Sequence, residues 1–151
     1  MLDWRFDTPK EEHFEPLLDL RIAVMREHLE RVFRYEPSRA RRIFREHFDE
    51  PGLRLILTGE EIAGCVGFRI GAKEIKLDSF YLQPSHHNTG LGTAILKTLL
   101  AEADALRLPI RLEVLTGSKA DRFYLRHGFV KLREDAIEGE YERPAPAPLS
   151  S

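Results

Sequence analysis

The stretch from Leu77 to Leu100, LDSFYLQPSHHNTGLGTAILKTLL, narrows the possible folds of this chain more than any other segment. It reads as an extended segment, a polar bend, two glycines and an amphipathic helix, and the segment after it, PIRLEVL (109–115), is again β-rich. Strand, helix and strand in succession imply a crossover connection and a parallel strand pair. Amides at the start of a helix lack internal partners and carry the positive end of the helix dipole, so the bend is shaped for an anion. Gly90 and Gly92 allow close approach and a left-handed backbone. Plain punctuation between strand and helix explains the two glycines equally well at this level. Two familiar phosphate loops do not match. A nucleoside triphosphate loop ends Gly-Lys-Ser/Thr, whereas this bend ends Gly92-Thr93-Ala94 with no lysine before Lys97. A dinucleotide loop needs a third small residue where Ile95 stands; Glu113 lies about 20 residues on, where a ribose-binding acid would sit, and is read as coincidence.

The rest of the chain reads as one meander around that unit. A short strand is expected over Leu2 to Phe6, and Thr8-Pro9-Lys10-Glu11 combines an N-cap, a proline at the first helical position and a capping-box glutamate. Phe14, Leu17, Leu18, Met25, Leu29, Val32 and Phe33 then recur at helical spacing as one buried stripe. Pro37 opens a second helix with Ala40, Ile43, Phe44 and Phe48 on one side. LRLILTGEEIAGCVGFRI predicts a hairpin around Thr58-Gly59-Glu60-Glu61, and a third strand runs from Glu74 to Leu82. Ser118 to Asp121 is another capping-box pattern, opening a helix that stops near Gly128, and FVKLRE and EGEYER form a closing hairpin.

At 151 residues, 42% hydrophobic and 32% charged, the chain suits a single core, expected over residues 1–143, with the Pro/Ala tail 144–151 expected to be disordered. With 23 basic against 25 acidic residues, the net charge of -2 supplies no general field for nucleic acid or an anionic membrane. One cysteine, Cys65, excludes a disulfide framework, and the histidines show no ligand spacing, so no metal is expected. The N-terminus lacks the basic head and apolar run of a leader and no segment approaches a membrane span, so a cytoplasmic location is expected.

The strand and bend LDSFYLQPSHHNTGLG, the amphipathic helix behind it and VLTGSKADRFYLRHGF downstream together resemble the GNAT acyltransferases, which take an acyl group from coenzyme A. The similarity extends over nearly the whole chain. The family's loop, Gln/Arg-x-x-Gly-x-Gly/Ala, reads here His87-Asn88-Thr89-Gly90-Leu91-Gly92, with His87 replacing the usual Gln or Arg. The resemblance implies an α/β (α+β) fold: a mixed, mostly antiparallel central sheet, helices on both faces, and one parallel strand pair at the cofactor slot. It implies acetyl-CoA as co-substrate. Backbone groups of Phe80, Tyr81 and Leu82 would pair with the pantetheine arm, and amides of His87, Asn88, Thr89, Gly90, Leu91, Gly92 and Thr93 would hold the pyrophosphate.

Ala120 and Tyr124 are four apart on one helix face, and position alone allows Tyr124 either a structural hydroxyl or a proton donor. The resemblance assigns it the general acid, since a phenol of pKa about 10 can protonate a departing thiolate. Ser118 stands where many relatives have Asn as a cofactor contact, and reads first as a helix cap. The glutamate base of some relatives falls on Lys76, which is unsuitable; Asp78, two residues on, and Glu113 are the remaining candidates, with an ion pair as the plain alternative for Asp78. The family's acceptor region implies Arg34, Tyr35 and Arg42 as substrate contacts, against solvated helix surface as the ordinary reading. The expected partner is a small-molecule or peptide amine, with no nucleic acid or membrane, and the protein a monomer or homodimer. The expected activity is N-acetyl transfer to a primary amine. The competing reading is an acyl-CoA-binding module without turnover.

Overall fold

The computed structural model describes residues 3–32 and 36–148. In chain order the elements are β1 (Arg5–Asp7), a 3-10 turn (Glu11–His13), α1 (Phe14–Val32), α2 (Pro37–Asp49), β2 (Leu53–Thr58), β3 (Glu61–Ile70), β4 (Ile75–Leu82), a 3-10 turn (Pro84–His86), α3 (Leu91–Leu106), β5 (Ile110–Leu115), α4 (Ala120–Leu125), β6 (Val130–Glu134) and β7 (Glu138–Arg143). The strands form one seven-stranded sheet in the order β1-β2-β3-β4-β5-β7-β6. Neighbours are antiparallel throughout except β4 and β5, the parallel pair that the strand-helix-strand unit requires.

The first helix begins later than the Thr8 capping pattern suggests. Pro16 has no amide to donate and is tolerated only in a first turn, so the α-helix starts at Phe14. The preceding 3-10 turn is closed by Lys10 and His13: the Lys10 amide donates to His13 Nδ1 at 2.8 Å, and the His13 amide donates to the Lys10 carbonyl at 2.8 Å. Pro37 stands at the first position of α2, as its fixed φ favours.

Each sheet face carries its own core. Ile56, Phe68, Ile75, Leu77, Ile110 and Leu112 pack against α3, whose buried stripe is Leu91, Ile95, Leu96, Leu99, Leu100 and Ala103. On the opposite face Leu53, Leu55, Leu57 and Cys65 meet Phe14, Leu17, Leu18 and Leu20 of α1 and Phe44 of α2. Gly64 of β3 lies where two strands crowd together: a Cβ there would stand 1.9 Å from the Tyr81 carbonyl oxygen. Among the described residues no helix is long and apolar enough to cross a membrane.

Candidate functional site

The site is built on a defect in β4. Asp78 pairs with Gly67 of β3 and Tyr81 pairs with Cys65, so three steps on β4 oppose two on β3. Ser79 absorbs the extra residue at φ 49, and its carbonyl accepts a hydrogen bond from the Cys65 thiol at 3.2 Å. Such a bulge bends the strand and exchanges the faces of the side chains that follow. Phe80 and Leu82 accordingly turn to the α3 side, and Tyr81 to the α1 side. Towards β5, β4 pairs only at Ile75 with Ile110 and Lys76 with Arg111. Beyond that point the two parallel strands separate and open a slot through the sheet.

On the α3 side the slot meets the glycine bend. Asn88 (φ 60) and Gly90 (φ 88) are both left-handed, and Gly90 is the residue before α3, whose first amide, that of Leu91, donates to Thr89 Oγ1 at 3.4 Å. Alternating handedness turns successive amides toward one point, and the helix dipole adds positive potential there. The His87 amide is not part of that set, because it donates to the Pro84 carbonyl at 3.0 Å; the amide cradle begins at Asn88. The His87 ring lies 2.9 Å from the Leu82 carbonyl, and Thr89 Oγ1 donates to the His86 carbonyl at 2.7 Å, so both side chains brace the bend. Lys119 and Arg126 line the same groove and place cationic side chains near it.

Tyr124 stands at the waist of the slot, in a cavity of about 230 Å³ that also touches Phe80, Tyr81, Ala120 and Glu113. Its ring packs on Phe123 and Phe129. Burial, and then the neighbouring Tyr81, push its phenol well above the ordinary tyrosine value, so it carries its proton at neutral pH. Cys65 is also buried, which pushes its thiol up to about 12 and leaves it inert.

On the α1 side the waist widens into a groove of about 750 Å³. Asp78 and Glu113 both line it. Asp78 Oδ1 and Oδ2 accept from Arg69 Nη2 at 3.0 Å and Nε at 3.2 Å, so this carboxylate is already committed. Arg69, 8% exposed, also donates to the carbonyls of His47, Glu50 and Pro51. Glu113 faces Glu138 of β7, whose carboxyl is raised first by burial and then by Glu113 itself.

The structure therefore gathers Phe80, Tyr81, Leu82, the bend, Tyr124, Asp78 and Glu113 around one slot. Ser118 lines the waist and caps α4, its Oγ accepting from the Ala120 amide at 3.2 Å. Arg42 lies elsewhere, in a shallow groove between α1 and α2 with Glu11, Glu15, Arg41 and Arg45. Ion pairs from Arg41 to Glu15 and from Arg45 to Glu11 and Asp49 fill that surface. Arg34 and Tyr35 fall outside the described residues. Sequence reasoning missed Val24, Met25 and Arg21 of α1, which line the slot or its groove. A signal was present: Arg21 occupies a stripe position, four after Leu17 and four before Met25, where an apolar residue is expected. Among the described residues no cluster of three His, Cys, Asp or Glu could hold a metal ion.

Comparison with known proteins bears on this architecture. Residues 18–129 match the model of the Acetyltransferase (GNAT) family. An uncharacterised N-acetyltransferase of Mycobacterium bovis is 32% identical over 114 residues, 71% of this chain and 70% of that protein; one from Mycobacterium tuberculosis matches to the same extent. Among solved structures, an acetyltransferase from Thermus thermophilus superposes with TM-score 0.74 at 20% identity, covering 95% of this chain and 97% of that one. The PaiA N-acetyltransferase of Thermoplasma acidophilum, solved in complex with coenzyme A, gives TM-score 0.70 at 18% identity, covering 94% of this chain and 99% of its own.

Proposed function

From the premise that this chain belongs to the GNAT acetyltransferase family, we propose that it moves an acetyl group from acetyl-CoA to a primary amine. The observation that carries this reading is the continuous slot between β4 and β5, with an anion cradle at one end, a protonated tyrosine at the waist and a polar groove at the other. The residues fit coenzyme A. Amides from Asn88 to Thr93, that of Leu91 being engaged only by a long contact to Thr89 Oγ1, with Lys119 and Arg126 alongside, suit the pyrophosphate, and the open edge of Phe80 to Leu82 suits the amide-rich arm. When bound, the thioester supplies an electrophilic carbonyl and a thiolate leaving group.

The chain's own residues divide the proton work. Tyr124, protonated and desolvated, donates to sulfur as it departs. The incoming amine approaches from the α1 groove, and its proton passes to the Glu113 and Glu138 carboxylates, directly or through water. Asp78 is the weaker candidate for that step, because taking a proton means releasing Arg69. The Arg69 contact instead holds β4 at its bulge.

Release of free thiol from acetyl-CoA, followed over a panel of primary amines, tests the proposal together with thermal melts in coenzyme A. Amine-dependent thiol release is the expected result, with stabilisation of about 2.7 kcal/mol at coenzyme A 100-fold above its Kd. No melting shift at saturating coenzyme A would overturn the cofactor assignment; a shift with no turnover on any amine would favour a binding module.

A further inference from the structure

We propose that Arg21 anchors a carboxylate on the acceptor, so that the substrate is an amino acid or a similar small amine bearing a carboxylate. The inference rests on the acyl-transfer reading and names the substrate class for the same groove. Arg21 is 9% exposed, and its Nε and Nη1 are buried without a hydrogen-bond partner among the described residues. Its guanidinium lies 5.7 Å from the centroid of the buried Phe44 ring, which holds the cation but accepts none of its N–H groups in plane.

Arg69 shows what this fold does with a buried arginine that serves structure. It lines the same groove, is equally buried, and directs its guanidinium at a carboxylate and three backbone carbonyls. Two guanidinium groups in one groove, one saturated and one left open, are unequal in purpose. Buried charged donors without acceptors are costly, and a groove that a ligand enters is where such a deficit can be met. Burial and then the Arg21 charge also push the neighbouring His47 below its ordinary value, so the groove holds no protonated histidine to compete for an anion at neutral pH.

The rest of the groove decides between anions. Asp78 is taken by Arg69, and Glu140 by Arg111 at 2.7 Å and Arg133 at 2.9 Å. Glu113 remains to receive an ammonium group, with Glu138 beside it held only by a long 3.8 Å ion pair to Arg133. A groove with this many acidic residues disfavours a doubly charged phosphate, whereas a singly charged planar carboxylate matches a guanidinium through paired hydrogen bonds. The groove is thus positive at its α1 end and acidic at its β5–β7 end, the polarity of a zwitterion.

The test compares the protein amino acids with their carboxamides as acceptors in the thiol-release assay. These pairs keep the amine and side chain and remove the carboxylate charge. The best amino acid should exceed its amide by about tenfold or more in kcat/KM, and Arg21→Met should bring that ratio close to one, chiefly through the acceptor KM. Equal use of acid and amide by the wild type, or a ratio unmoved in Arg21→Met, overturns the proposal. A second measurement needs no turnover. Without ligand, Arg21→Met should melt at or above the wild type, since an unpartnered buried charge gives way to an apolar chain, and its shift with coenzyme A should be unchanged. Millimolar amino acid should raise the melting temperature of the wild type saturated with coenzyme A and leave that of Arg21→Met in place. A variant that melts lower, or equal stabilisation of both proteins by the amino acids, makes Arg21 structural. If coenzyme A binds but no amine is turned over, acyl transfer fails as a reading while the melts still decide Arg21.

Discussion

Tyr124 depends on its surroundings for its chemistry. Its ring is held by Phe123 and Phe129, and burial keeps its proton in place across the working pH range. Tyr124→Phe preserves that packing and removes the donor, so turnover should fall roughly 10²-fold or more while coenzyme A still raises the melting temperature as in the wild type. Steady-state kinetics where chemistry is rate-limiting check this, and equal turnover would return the hydroxyl to a structural part. The tyrosine could be found in the sequence because Ala120 stands one helical turn before it and the local helix fixes that relation. Asp78 was visible as a residue, but its partner was not. Arg69 lies nine positions earlier on the adjacent strand, and only the strand register brings the two within 3.0 Å. Arg21 was hidden for a related reason: an arginine in an apolar stripe is legible, but whether anything satisfies it depends on what folds over it.

At the scale of elements, β4 and the bend after it do most of the positioning. The bulge at Ser79 and the Arg69–Asp78 pair lie side by side, with the two side chains 7% and 15% exposed. Asp78→Asn leaves Arg69 short of a charged acceptor, which should cost about 3 kcal/mol and lower the melting temperature by roughly 6 to 12 °C. If Asp78 were also the base, the same variant would in addition lose turnover and recover it at high pH, so a pH profile tests that role apart from the melts. Gly90 sits at φ 88, where a β-branched residue is strained by about 1 to 2 kcal/mol. Gly90→Val should therefore lower stability modestly and abolish the melting shift with coenzyme A; a full shift would show that the bend does not hold the cofactor. The bend was legible because two glycines before an amphipathic helix are a local pattern. That the His87 amide is spent on Pro84 was not, because the 3-10 turn that uses it depends on how the chain leaves β4.

For the molecule as a whole, the groove's acid pair couples folding to pH. The Glu138 carboxyl is raised above 4.5 by burial and by Glu113, so between that value and its folded value the folded chain holds more protons than the unfolded one. Stability contributed by this site therefore falls as pH climbs through the window. Glu138→Gln removes the titration. It should melt higher than the wild type above the window, near pH 7, and show no such advantage below about pH 4. Melting curves across that range check the sign, and an advantage that grows toward acid would contradict it. What the sequence determined by itself was the succession of elements, the parallel crossover and the place of the bend, because helical and strand periodicities, proline positions and glycine pairs act over a few residues. The tertiary structure decided which charges are spent and which are left open. Arg69 saturated, Arg21 with Nε and Nη1 unpartnered, and Glu113 set diagonally from Glu138 across β5 and β7 are products of strand register, a single bulge and the packing of α1 over the slot. Charge pairing depends on distances of a few ångströms between segments far apart in the chain, and no local pattern encodes them.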